Sequence, residues 1–212
     1  MAARNFDPSD SVGRTSRRTL LRTLSAAPVA ALAVPVASPW GGVLASLHEG
    51  YGDDPAILVR TKEGRSLSRF HYHRAESFFP GREPRSASEW RSFLYFAGIS
   101  AQLALSAHLL DVGFEDQWCV RHIGLRVAKS LAYANATGLG HDCPDMTRLA
   151  VVLSPYNKWN EVRLFGEPPP EDGGLAVTQV RTLLRALLKR VHDVTGHPRP
   201  HGWRRDHRDT RS

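Results

Sequence analysis

Nineteen consecutive residues, Ser92 to Leu110, carry no formal charge, and downstream of residue 37 nothing constrains the fold more. Ser86-Ala87-Ser88-Glu89 precedes the run with the spacing of a capping box, in which a hydroxyl and a carboxylate satisfy free amides at a helix start. Gly113 follows it, where a left-handed stop residue belongs. Between these marks Trp90, Phe93, Leu94, Phe96, Ile99, Leu103, Leu105, Leu109 and Leu110 put apolar side chains on every face of a helix. A helix apolar all round is either a buried centre or a membrane span. Ser92, Ser100, Gln102, Ser106 and His108 interrupt the run, and polar side chains in lipid are expensive. The expectation is therefore a buried helix. Ala97, Gly98, Ser100, Ala101, Ala104 and Ala107 are small enough to let neighbouring backbones come close. The fold class that follows is mainly α, a small helical bundle around a buried central helix, with room for one short β-hairpin.

A second helix is written most plainly near the end. Val177, Val180, Leu184, Leu187, Val191 and Val194 step by three and four, widened by Leu183 and Leu188, the mark of one buried stripe. Arg181, Arg185 and Lys189 form a basic row on another side, and Gly196-His197-Pro198 stops the helix. A third is predicted over Asp116–Ala136, with Val120, Ile123, Val127, Leu131 and Ala134 on one face. Arg121, His122, Arg126, Lys129 and Tyr133 fall on its other sides. Pro39 to Glu49 reads as a short amphipathic segment with Trp40, Val43, Leu44 and Leu47 at helical spacing. Gly50 to Pro55 breaks it. Ile57-Leu58-Val59 and Leu67 to His73, around Lys62-Glu63-Gly64, have the pattern of a hairpin. Leu149 to Leu153 fits a helix end or a buried strand, and the Pro-rich run 168–174 fits a linker.

The formal net charge is +7, and its location decides what it means. Residues 1–37 hold five Arg and two Asp, and residues 196–212 hold the same numbers. The body, 38–195, has eighteen Lys and Arg against seventeen Asp and Glu. A basic folded face is not implied. The organisation expected is a leader over 1–37, one helical domain over 38–195 and a disordered basic tail over 196–212. Residues 60–91 form a modest basic patch interleaved with Phe70, Tyr72, Phe78 and Phe79.

Within the leader, Ser16-Arg17-Arg18-Thr19-Leu20-Leu21-Arg22 and the mildly apolar run Leu24–Ala37 resemble a twin-arginine export signal. Physically this is a charged anchor before an apolar segment too short to span a bilayer. The resemblance implies that Arg17 and Arg18 engage the twin-arginine export machinery. It also implies a folded protein delivered to the periplasm or beyond, and says nothing of the domain that follows.

In an oxidising compartment Cys119 and Cys143 are a disulfide candidate; two separate structural thiols are the other reading. Cys119-x-x-His122 and His141-x-Cys143 could instead supply four ligands to a tetrahedral zinc ion. A thiol nucleophile would be Cys143 with His141 or His122 as base. His71 and His73 would share one side of a strand, with His48 or His108 as further metal ligands; His108 alone reads as a hydrogen-bonded core residue. His48-Glu49 with Asp53-Asp54 is either an acidic metal cluster or the polar part of a Gly-rich turn. No phosphate loop, dinucleotide fingerprint or His-Glu-x-x-His motif occurs.

These features lead first to an exported helical protein with a binding or structural role in the cell envelope and an envelope partner still to be identified. A zinc- or thiol-dependent enzyme built on Cys119, His122, His141 and Cys143 is the second reading. A cytoplasmic nucleic-acid-associated protein using the Arg-rich ends is the third. A stable membrane span is not expected.

Overall fold

A computed structural model of the chain describes residues 39–160 and 170–199. The leader, residues 161–169 and the tail from 200 lie outside the described residues. Seven α-helices and no strand occur among those described: α1 Gly41–Tyr51, α2 Lys62–Ser77, α3 Ala87–Val112, α4 Asp116–Trp118, α5 Val127–Ala136, α6 Pro144–Val152 and α7 Val177–Thr195. The bundle is assembled around α3.

The uncharged run forms the core of α3. Ser86 caps it, its hydroxyl accepting from the Glu89 amide at 3.2 Å, while the Glu89 carboxylate takes the Arg85 amide at 2.6 Å. Gly113 ends it at φ 112°. Leu94, Ala97, Ala101, Ala104, Leu105 and Leu109 have no solvent exposure; each large apolar side chain so buried contributes roughly 1.5–3 kcal/mol. α3 is long and apolar enough to cross a membrane, yet 67% of its most apolar stretch is buried inside the protein. Its polar residues are tied to neighbours. Ser100 donates to the Ala75 carbonyl at 2.9 Å, Gln102 to Ser130 Oγ at 2.8 Å, and His108 Nε2 lies 3.2 Å from Thr137 Oγ1.

The predicted hairpin is absent, and α2, which replaces its second strand, is the most extensive partner of α3. Thr61 caps α2 by accepting from the Gly64 amide at 2.9 Å. Ser68, Tyr72 and Ala75, spaced by four and three, are its buried residues. That stripe is small or polar, so it does not announce itself as apolar periodicity. On a helix His71 and His73 point to different sides, and His73 Nε2 meets the Pro198 carbonyl at 3.0 Å.

The helix expected over Asp116–Ala136 is interrupted. α4 passes into a π-helical turn, Cys119–Ile123, closed by the Gly124 amide on the Cys119 carbonyl at 3.0 Å. Gly124 then takes φ 60° and ψ −130°, a backbone that glycine alone adopts without penalty. The break rotates the first turn, leaving Val120 68% exposed, whereas Ile123, Val127, Leu131 and Ala134 are buried as expected. α7 buries Val180, Leu184, Leu187, Leu188 and Val191, matching its stripe. The body continues past residue 195, the predicted boundary: His197 is 2% exposed and packs on α2.

Candidate functional site

The four residues proposed as zinc ligands are dispersed. Cys119 and Cys143 are free thiols, the first buried and the second exposed. Burial, with Asp116 adding to it, pushes the Cys119 thiol up to about 12, which leaves it inert as a nucleophile. His122 faces Asp53 and Asp54. His141 is held elsewhere: Asn135 accepts from its amide at 2.9 Å and donates to its carbonyl at 3.3 Å. Burial and the neighbouring Arg190 charge lower its imidazole. Among the described residues no three His, Cys, Asp or Glu side chains converge as a metal-binding group.

What the fold does bring together is a buried polar cluster around Asp53. The C-terminal turn of α1 carries this residue inward, its amide donating to the His48 carbonyl at 2.9 Å. Lys129 Nζ donates to Asp53 Oδ1 at 2.6 Å and Tyr133 Oη to Oδ2 at 2.6 Å. The side chains of Lys129 and Asp53 are 3% and 5% exposed. His122 Nδ1 is 3.5 Å from Asp53 Oδ1, and its Nε2 is 3.5 Å from the exposed Asp54 carboxylate. The His122 ring stacks on Trp118 at 4.8 Å, and Lys129 Nζ lies 4.7 Å from the Tyr51 ring centre.

Burial pushes the Asp53 carboxyl upward, but the hydrogen bonds from Lys129 and Tyr133 outweigh it and hold the group below the usual carboxylate range. The Tyr133 hydroxyl is driven up by burial and by its bond to that carboxylate. His48 is driven down by burial, against the pull of Asp53. The ammonium of Lys129 occupies the position a metal ion would take on Asp53. The cluster therefore fastens α1 to α5, and Asp54 and Tyr51 face solvent at its edge.

A second constellation has the residue types of a nucleophilic triad without its geometry. Ser68 Oγ is 2.6 Å from His197 Nε2, and the same nitrogen lies 3.9 Å from Asp111 Oδ1. A working base would need its two ring nitrogens divided between hydroxyl and carboxylate. Ser68, moreover, gives its proton to the Ala107 carbonyl, so the ring nitrogen must be the donor toward it. Arg65 completes the set, donating to Asp111 at 2.8 Å and to the Thr195 carbonyl at 3.2 Å. This is a strap binding the chain after α7 to α2 and α3.

Two of the surface recesses among the described residues are mainly apolar. One, of about 450 Å³, lies among Phe78, Phe79, Phe93 and Phe96, with Arg82, Glu83 and Glu89 at its edge. The other, also about 450 Å³, is floored by Leu67, Leu110 and Phe114 and flanked by Ile57 and Val59. Its ionisable lining residues are Glu63, Glu115 and Asp116, all acidic. Sequence reasoning missed both this recess and the Lys129–Asp53 pair. The four-residue spacing of Lys129 and Tyr133 was the available signal for the pair.

No family model, no curated protein and no solved structure matches the chain.

Proposed function

We propose that the chain is a small helical protein exported by the twin-arginine route, acting in the cell envelope by non-covalent binding. The observation that carries the reading is Ser16-Arg17-Arg18-Thr19-Leu20-Leu21-Arg22 ahead of a charge-balanced body. The binding half is supported by how three of the reactive groups are spent, although the Cys143 thiol stays exposed. The Cys119 thiol is buried, the Ser68 proton is committed to a carbonyl and the Lys129 ammonium to Asp53. The recess flanked by Ile57 and Val59, in contrast, offers exposed apolar surface.

Fusing residues 1–45 to a reporter active only after export tests the address. Signal is expected from the native leader and should be lost when Arg17→Lys and Arg18→Lys are combined. A native leader that leaves the reporter in the cytoplasm ends this reading.

A further inference from the structure

The non-helical stretch between α1 and α2 runs beside a recess with an acidic rim. Ile57 and Val59 are 83% and 59% exposed, while Leu58 between them packs against the core. That in–out alternation is the side-chain pattern of an extended chain. The stretch is pinned on one side: the Val59 amide donates to the Gly113 carbonyl at 2.9 Å. The backbones cross so closely there that a Cβ on Gly113 would lie 2.8 Å from Val59 C. Ile57 and Leu58 make no backbone hydrogen bond among the described residues. Two exposed β-branched side chains on an unpaired edge form a ready template for strand addition.

The chemistry of the recess selects the occupant. Its floor is apolar, and Glu63, Glu115 and Asp116 supply its only charges. Arg60 and Lys62, the nearest cations in sequence, do not line it. We infer that residues 55–60 bind an extended segment of a partner protein, one that places apolar side chains and Lys or Arg on the same face, at every second position. Its backbone pairs with Leu58, whose amide and carbonyl face away from Gly113 in an extended chain. Its apolar side chains enter beside Phe114, and its cations meet the three carboxylates. The inference deepens the binding reading and rests on it, but not on export: peptide binding and reporter export are separate measurements, and either can fail alone.

The probe is the capped peptide Lys-Thr-Val-Thr-Lys, which carries both lysines and the valine on one face of a strand, titrated into the full-length protein at low salt while amide resonances are followed by NMR. Shifts are expected at Ile57, Leu58 and Val59 at peptide concentrations up to about 1 mM. Combining Glu63→Lys with Glu115→Lys should weaken binding about tenfold or more, as should the peptide Glu-Thr-Val-Thr-Glu. The lysine peptide N-methylated at every backbone amide keeps its charge and side chains, and should not bind. Circular dichroism on the double variant keeps loss of folding separate from loss of binding. Equal affinity for the lysine and glutamate peptides overturns the charge assignment. Undiminished binding of the methylated peptide overturns strand pairing. Absence of shifts at 57–59, or shifts that depend on protein concentration without peptide, overturns the proposal, the latter by making a second copy of this chain the occupant.

Discussion

At the scale of single residues, the most consequential contact is the one between Lys129 and Asp53. Two charges taken out of water repay their desolvation only when each keeps the other and the remaining lone pairs are bonded. Asp53 meets that condition, with Lys129 and Tyr133 on its two oxygens at 2.6 Å each. Removing one partner is therefore worse than removing both. Lys129→Met should cost about 3–5 kcal/mol, because it strands a buried carboxylate. Lys129→Met combined with Asp53→Leu should recover much of that loss. Urea unfolding of the three proteins checks this; a single variant no less stable than the double one would refute the buried-pair account. Because Asp53 is held below its ordinary value, its stabilising contribution is complete above about pH 4 and disappears as the pH drops through its folded-state pKa.

For the elements, two glycines show what α3 requires of its surroundings. Gly113 sits at φ 112° with Val59 backbone against its α-carbon, so Ala there meets both a left-handed backbone and an overlap. The expected cost of Gly113→Ala is about 2–4 kcal/mol. Gly50, inside α1, has nothing within 4 Å of an added Cβ, and Gly50→Ala should stabilise by about 0.5–1 kcal/mol. Thermal melts of the two variants should shift in opposite directions; a shared direction would mean that backbone crossing does not control the α3 terminus. α3 and α7 were legible in the sequence because each is either apolar all round with capping residues or striped at helical spacing. α2 was not, since its buried face is Ser68, Tyr72 and Ala75 while Phe70 stays exposed. Phe70-His71-Tyr72-His73 then imitates a strand. The break at Gly124 was hidden for a related reason: Val120 fits the stripe by spacing and leaves it only because the backbone turns. The site was less legible still. Asp53 and Lys129 are 76 positions apart, and the four-residue spacing of Lys129 and Tyr133 marks a shared helix face without naming Asp53 as its partner.

Taken whole, the molecule keeps an unusual number of imidazoles away from water, and this sets its response to acid. Burial lowers His48, His71, His108, His141 and His197 below the ordinary value of 6.5. His108, near the C-terminal end of α3, is lowered furthest, to about 4. Four of the five also have a buried ring nitrogen without a hydrogen-bond partner among the described residues: His48 Nε2, His71 Nδ1, His108 Nδ1 and His141 Nε2. Protonation would put a charge and a new N–H where no acceptor waits. The unfolded chain takes up these protons at about pH 6.5, before the folded chain does. Stability is thus complete above that value and declines as the pH falls toward the folded-state pKa values. For His108 alone the loss approaches about 3 kcal/mol by pH 4, at 1.36 kcal/mol per unit. The melting temperature should therefore fall steadily between pH 7 and pH 5, ahead of any effect from Asp53. His108→Gln keeps an amide within reach of Thr137 but cannot titrate, so it should flatten that decline while lowering stability at pH 7. A wild-type melting temperature unchanged from pH 7 to pH 5, or a His108→Gln profile parallel to wild type, would show that the buried imidazoles do not govern the acid response.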